Sequence, residues 1–130
     1  MKLSEVKSND ELVAERLRAD PEFRAGWERT ALARAVAIAV VRYRTNNDLS
    51  QRDLARRLGM KQPQVARLEL GEVNPNMDTL MRLASQLNIE FTIDVRPAGK
   101  PARNMTRRAQ TENAVGGFRT DDAELLVAVR

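Results

Sequence analysis

The chain contains no cysteine and no histidine. These absences remove thiol and imidazole nucleophiles, imidazole acid–base catalysis, disulfides and the usual zinc sites, so no catalysis, cofactor or metal is expected. Long apolar runs are missing as well. The longest, Ala31 to Val41, is interrupted by Arg34 and falls well short of the roughly 20 residues that span a bilayer. It also lies far from the N-terminus, where a signal peptide would stand, and the chain reads as cytoplasmic. A length of 130 residues suits one core with extensions and argues against a multidomain enzyme.

What is present is basic and helix-favouring. Lys and Arg outnumber Asp and Glu by 22 to 18 and the isoelectric point is about 10.1, which fits an anionic partner. Ala, Leu, Arg, Glu and Gln dominate the first ninety or so residues, with Gly and Pro between periodic segments. A short helix is expected over Asp10 to Arg18, with Leu12, Val13 and Leu17 on one side. Asp20-Pro21 reads as an N-cap followed by proline, starting a helix from Pro21 to about Arg44 along which Phe23, Trp27, Leu32, Val36, Val40 and Tyr43 recur at helical spacing. Thr45 to Asp48 breaks that pattern.

Ser50 to Asp53 has capping-box spacing, and Leu54, Ala55 and Leu58 give the next helix an inner face before Gly59 ends it. A further helix is expected from Gln62 to Leu70, with Pro63 tolerated in its first turn, Val65 and Leu68 inward and Gly71 closing it. Asn74-Pro75 forms a loop, and Asn76 caps a helix carrying Leu80, Leu83, Ala84 and Leu87. From Ile89 the period changes to two: Ile89, Phe91, Ile93 and Val95 alternate with Glu90, Thr92, Asp94 and Arg96, the mark of a half-buried strand. That strand pairs either within the chain or with a second copy. The polar stretch from Pro97 reads as a linker or flexible tail, with a candidate second strand at 125–129.

Two short helices joined by a glycine turn, Ser50 to Gly71, have the physics of a helix-turn-helix. Lys61, Gln62, Gln64 and Arg67 point outward from the second helix; Gln pairs bidentately with adenine, and Arg or Lys with guanine. Residues 49–70 hold five basic and two acidic side chains, so the positive charge is concentrated on the motif.

The motif resembles the Cro/C1, or XRE, family through Leu49-Ser50-Gln51, Leu54-Ala55, Leu58-Gly59, Gln62, Val65, Arg67-Leu68-Glu69, Gly71, Asn74-Pro75 and Thr79-Leu80. The resemblance implies a mainly α, lambda-repressor-like helical bundle over 31–88, preceded by an N-terminal helical extension (1–30) and followed by a short β element. That element would be a strand at 89–96, a candidate dimer element, ahead of a tail at 97–130. It implies a homodimer on a palindromic double-stranded operator, with Gln51 near a phosphate, Gln62, Gln64 and Arg67 at base edges and Asn74 near the backbone; beside these, Arg52 and Arg56 are expected by their charge to contact the backbone, and Lys61 shares the outward, groove-facing positions of the second helix. The family often has Ser or Thr where Lys61 stands and a polar residue where Pro63 stands; Pro63 cannot donate to a base. The lead-in Leu17 to Arg24 with Trp27-Glu28 resembles HigA-type antitoxins, which implies a RelE/HigB-like ribonuclease toxin as partner and Leu17, Phe23 and Trp27 as its contact surface. A stand-alone repressor is the alternative, in which Phe23 and Trp27 simply pack on the bundle. Arg103, Arg107 and Arg108 read as a solvated tail or as extra DNA contacts, and Asp121, Asp122 and Glu124 as an acidic start of structure and not a metal site.

Overall fold

The computed structural model describes residues 6–100 and 114–130, with the backbone alone for 114–119. Helix α1 (Asn9–Ala19) starts at a Ser8 capping box and α2 (Pro21–Arg29) at Asp20, whose carboxylate accepts from Phe23 N at 3.1 Å. The single helix expected from Pro21 to Arg44 is two. It breaks at Thr30, with φ −102° and ψ 21°, and resumes as α3 (Ala31–Asn46). Local competition accompanies the break: Gly26 O keeps its helical bond from Thr30 N at 3.3 Å, whereas Trp27 O, which a continuous helix would offer to Ala31 N, accepts from the Thr30 hydroxyl at 3.3 Å. The Arg34 guanidinium then covers the exposed end, bonding Trp27 O and Thr30 Oγ1.

Helices α4 (Gln51–Leu58), α5 (Gln62–Leu70) and α6 (Met77–Leu87) follow within a residue or two of their expected bounds. Val36 and Val40 of α3, Leu54, Ala55 and Leu58 of α4, Val65 of α5 and Leu80, Leu83 and Leu87 of α6 form the core. Phe91 and Ile93 pack against its edge.

Strand β1 (Phe91–Pro97) pairs antiparallel with β3 (Ala123–Val129), and β3 with β2 (Ala114–Arg119), in the order β1-β3-β2. The candidate strand at 125–129 is thus β3, and the chain supplies β1 with an internal partner. Part of the stretch read as a tail is corrected: residues 114–119 are a strand. Gly116 and Gly117 concealed it, since glycine disfavours strands, but here they sit beside a register irregularity between Ala114 and Gly116, where glycine is suited. Val127 is fully buried, and β2 and β3 lie against α3. Arg103, Arg107 and Arg108 fall outside the described residues. None of the described helices is long and apolar enough to cross a membrane.

Candidate nucleic-acid interface

The site begins with how α4 is started. Ser50 Oγ accepts from Asp53 N at 3.1 Å, and Asp53 returns the contact by accepting from Ser50 N at 3.1 Å. These backbone and hydroxyl hydrogen bonds, with help from Arg56, hold the Asp53 carboxyl below its usual range. Gly59 then turns the chain at φ 66°, and Met60 N donates to Ala55 O at 2.8 Å, closing the connection to α5.

Helix α5 is seated by Val65, which is fully buried, and by a clamp at its far end. Arg44 of α3 donates to Glu69 of α5 through Nε and Nη2 at 2.8–3.2 Å, and through Nη1 to Leu49 O at 3.3 Å. The Glu69 side chain is 9% exposed and its hydrogen bond raises the Arg44 pKa. Gly71 ends α5 at φ 66° where a Cβ would stand 3.3 Å from Ala37 Cβ, so a side chain there would be both strained in backbone and tight against α3.

On this seat Arg52, Arg56, Lys61, Gln64 and Arg67 are exposed, and Gln51 and Gln62 are half-buried. Gln62 Nε2 donates to Gln51 Oε1 at 2.8 Å, tying the start of α5 to the start of α4. Gln64 Oε1 accepts from Lys61 N at 2.9 Å, which leaves its amide donors outward. Arg56 leans on Asp53 at 3.1 Å, a solvent-exposed pair. Beside Gln64 and Arg67 a cleft of about 270 Å³ opens, floored by Leu68 and bounded by Val73, Asn76 and Thr79.

Asn74 is exposed and lines the same cleft, yet both ends of its amide are occupied within the chain. Its Oδ1 accepts from Ala33 N at 3.0 Å and its Nδ2 donates to Arg29 O at 3.0 Å, so the amide that the resemblance puts near DNA splices α2 to α3. Thr30 offers α3 no side-chain cap, and Asn74 provides one from 41 residues away. Sequence spacing has no signal for such a contact, nor for the Arg44–Glu69 clamp.

At the other end of the chain, Phe23 and Trp27 are half-buried, with ring centroids 5.8 Å apart. The Arg16 guanidinium lies 4.3 Å from the Phe23 ring centre and that of Arg34 lies 3.9 Å from Trp27's. Leu17 is half-buried too, yet neither α1 nor α2 contributes a fully buried residue.

A basic, capped two-helix unit with polar side chains outward defines a helix-turn-helix, and the helix-turn-helix family model matches residues 40–93. Antitoxin HigA1 of Mycobacterium tuberculosis is 36% identical over 81 residues, 62% of this chain and 54% of its own length. An HTH-type transcriptional regulator of Haemophilus influenzae is 30% identical over 92 residues, 71% of this chain and 90% of that protein. The chain belongs to the Cro/C1-type helix-turn-helix family and resembles HigA antitoxins. It spans about half the length of the HigA1 relatives it matches. No solved structure matches it significantly.

Proposed function

We propose that the chain is a sequence-specific repressor that binds a palindromic double-stranded operator as a homodimer, and the antitoxin of a RelE/HigB-like ribonuclease toxin. It is not an enzyme in this reading, and it works in the cytoplasm. One observation carries the DNA half: Gln64 and Arg67 are exposed side by side on a helix whose own carboxylate, Glu69, is turned inward onto Arg44. Lys61, Gln62, Gln64 and Arg67 stand at or beside base edges, while Gln51, Arg52 and Arg56 approach phosphates. The likeness to HigA1 supports the toxin half, with Leu17, Phe23 and Trp27 as the contact surface on α1 and α2.

Fluorescence anisotropy on the chain's own promoter, at two salt concentrations and with and without the product of the neighbouring reading frame, tests both halves. Binding that is selective for one operator and falls steeply with salt is expected. Equal binding to scrambled DNA refutes the repressor reading. The stand-alone repressor has its own support, because Arg16 and Arg34 already cover Phe23 and Trp27 within the chain. It prevails if no neighbouring product binds and deletion of residues 1–19 leaves operator affinity intact.

A further inference from the structure

Strand β1 is paired on one edge only: in the order β1-β3-β2 its other edge carries no strand among the described residues. The direction of its backbone groups follows from the pairing. Glu90 N donates to Arg130 O, Arg130 N to Glu90 O, and Ala98 N to Asp122 O, so the even-numbered residues turn their backbone groups towards β3. By the two-residue repeat of an antiparallel ladder, Phe91, Ile93 and Val95 aim their N–H and C=O groups at the open edge. The charged side chains of β1, Asp94 and Arg96, are half-buried and paired with each other at 3.1 Å, and other devices that blunt an edge are sparse among the described residues. There is no bulge between β1 and β3 and no lysine within the strand, and its proline is the last residue, Pro97.

The sequence along this edge is complementary to itself. Centred on Ile93 and run antiparallel, Glu90 falls opposite Arg96, Phe91 opposite Val95, Thr92 opposite Asp94 and Ile93 opposite itself. Apolar meets apolar, small polar meets polar, and no like charges oppose; Glu90 faces Arg96, whose guanidinium is already held by Asp94 at 3.1 Å and Glu124 at 2.6 Å in its own chain, so this pair adds compatibility and not a new ion pair. The same register places Phe91, Ile93 and Val95 as the hydrogen-bonded pairs, the residues whose backbone groups face outward. Backbone direction excludes registers that oppose odd to even residues, centring on Thr92 or Asp94 sets Glu90 against Asp94 or Asp94 against its own copy, and centring on Val95 puts Pro97, which has no N–H, at a hydrogen-bonded position. The register about Ile93 would also cover Val95, which at 69% exposure is the one large apolar side chain of β1 left to solvent, with the Phe91 of a second copy.

We infer that β1 is the dimer seam: two copies join through antiparallel pairing of Glu90–Arg96 with its symmetry mate about Ile93, making one continuous sheet in the order β2-β3-β1-β1-β3-β2. About six backbone hydrogen bonds cross the seam. The inference rests on the homodimer in the proposed function but not on DNA binding, and it is tested without DNA.

The full chain is studied by sedimentation equilibrium as wild type and as Val95→Pro. Proline at 95 removes only an outward N–H, a placement edge strands tolerate, and Val95 lies outside the core. The wild type should be dimeric. The variant should keep its helical circular dichroism and melting temperature while its dimer dissociation constant rises at least about tenfold, from the removal of two hydrogen bonds per dimer. Single cysteines in this cysteine-free chain test the register separately. Ile93→Cys should oxidise to a covalent dimer, because opposed residues of a hydrogen-bonded pair lie about 5.5 Å apart at Cα. Val95→Cys should not, since its two copies would stand on the order of 13 Å apart. Equal cross-linking of both, or a folded Val95→Pro that dimerises like the wild type, overturns the seam while leaving the dimer. A monomeric wild type overturns both. Should Val95→Pro fail to fold, the cysteine pair decides alone.

Discussion

Replacing Asn74 by alanine separates a splice between α2 and α3 from a contact to DNA. The side chain satisfies Ala33 N and Arg29 O at 3.0 Å each, and Ala33 is 2% exposed, so water cannot readily take over. An orphaned buried N–H costs about 1–3 kcal/mol, and removal of the bond to Arg29 adds about 1 kcal/mol. The sum of roughly 2–4 kcal/mol corresponds to a melting temperature lower by on the order of 10 °C for a domain of this size. Asn74→Asp keeps the acceptor for Ala33 N but sets a carboxylate oxygen against Arg29 O in place of the donor, so it should lose stability relative to wild type despite the retained bond to Ala33 N. Thermal and urea denaturation followed by circular dichroism give the stabilities; operator binding against salt gives the interface contribution. If Asn74→Ala melts like wild type but binds operator and non-operator DNA more weakly by a similar factor, with the salt slope unchanged because the amide is uncharged, Asn74 is a phosphate contact and the splice is irrelevant.

Other substitutions sort the remaining roles. Arg67→Ala should weaken operator binding by roughly 1–3 kcal/mol and relax base preference at one position per half-site, read by competition with single-base operator variants; an unchanged preference refutes base contact. Arg52→Ala or Arg56→Ala should weaken binding to every sequence alike and lower the salt slope by about one for each phosphate left without its cation, whereas a sequence-selective effect would exchange their roles with Arg67. Gly59→Ala, with open space around it and only a positive φ to oppose it, should cost about 1–2 kcal/mol, and Gly71→Ala clearly more because its Cβ would press on α3; equal costs in denaturation would contradict that close approach. The folded pKa of Asp53 is depressed, so its contribution is fully present above its unfolded value near pH 4 and disappears as pH falls through the lower folded value. Asp53→Asn should therefore flatten the acid limb of the stability profile, and an unchanged limb rules out the capping carboxylate as its source.

Residues whose partners lie within one helical turn were legible in the sequence. Ser50 and Asp53, Asp20, Asn76, Gly59 and Gly71 each act within three or four positions, and each sits where spacing placed it. What spacing could not show depends on distant partners. The break at Thr30 is local, but the apolar periodicity runs through it, because Phe23 and Trp27 continue on one side the stripe that α3 carries on. Asn74, Arg44 and Glu69 have ordinary loop or surface identities, and only the fold brings them to Ala33 and to each other. Strand β2 was hidden for a related reason: its glycines contradict strand propensity, and β3, which pairs with it, follows it in sequence.

The partnering of charges alters what the basic composition of the motif means. Counted by sequence, residues 49–70 offset five cations with Asp53 and Glu69. In the fold neither carboxylate opposes DNA equally. Glu69 is turned inward and neutralised by Arg44, a cation from outside the segment, so its charge is removed from the reading face without occupying one of the motif's own. Asp53 is engaged by the Ser50 N–H and by Arg56, which makes Arg56 the weakest of the exposed cations as a phosphate ligand. Arg57 is turned to the Tyr43 hydroxyl at 2.6 Å, at the edge of the face. The field presented along α4 and α5 therefore comes chiefly from Arg52, Lys61 and Arg67, all exposed, while the amides of Gln51 and Gln62 are bonded to each other and Arg67 adds directed donors to its charge. Exposed cations together with the uncharged donors of Gln62 and Gln64 suit a surface that must find a phosphate backbone at long range and choose among base pairs at short range, since the first task needs net charge and the second needs directed hydrogen bonds.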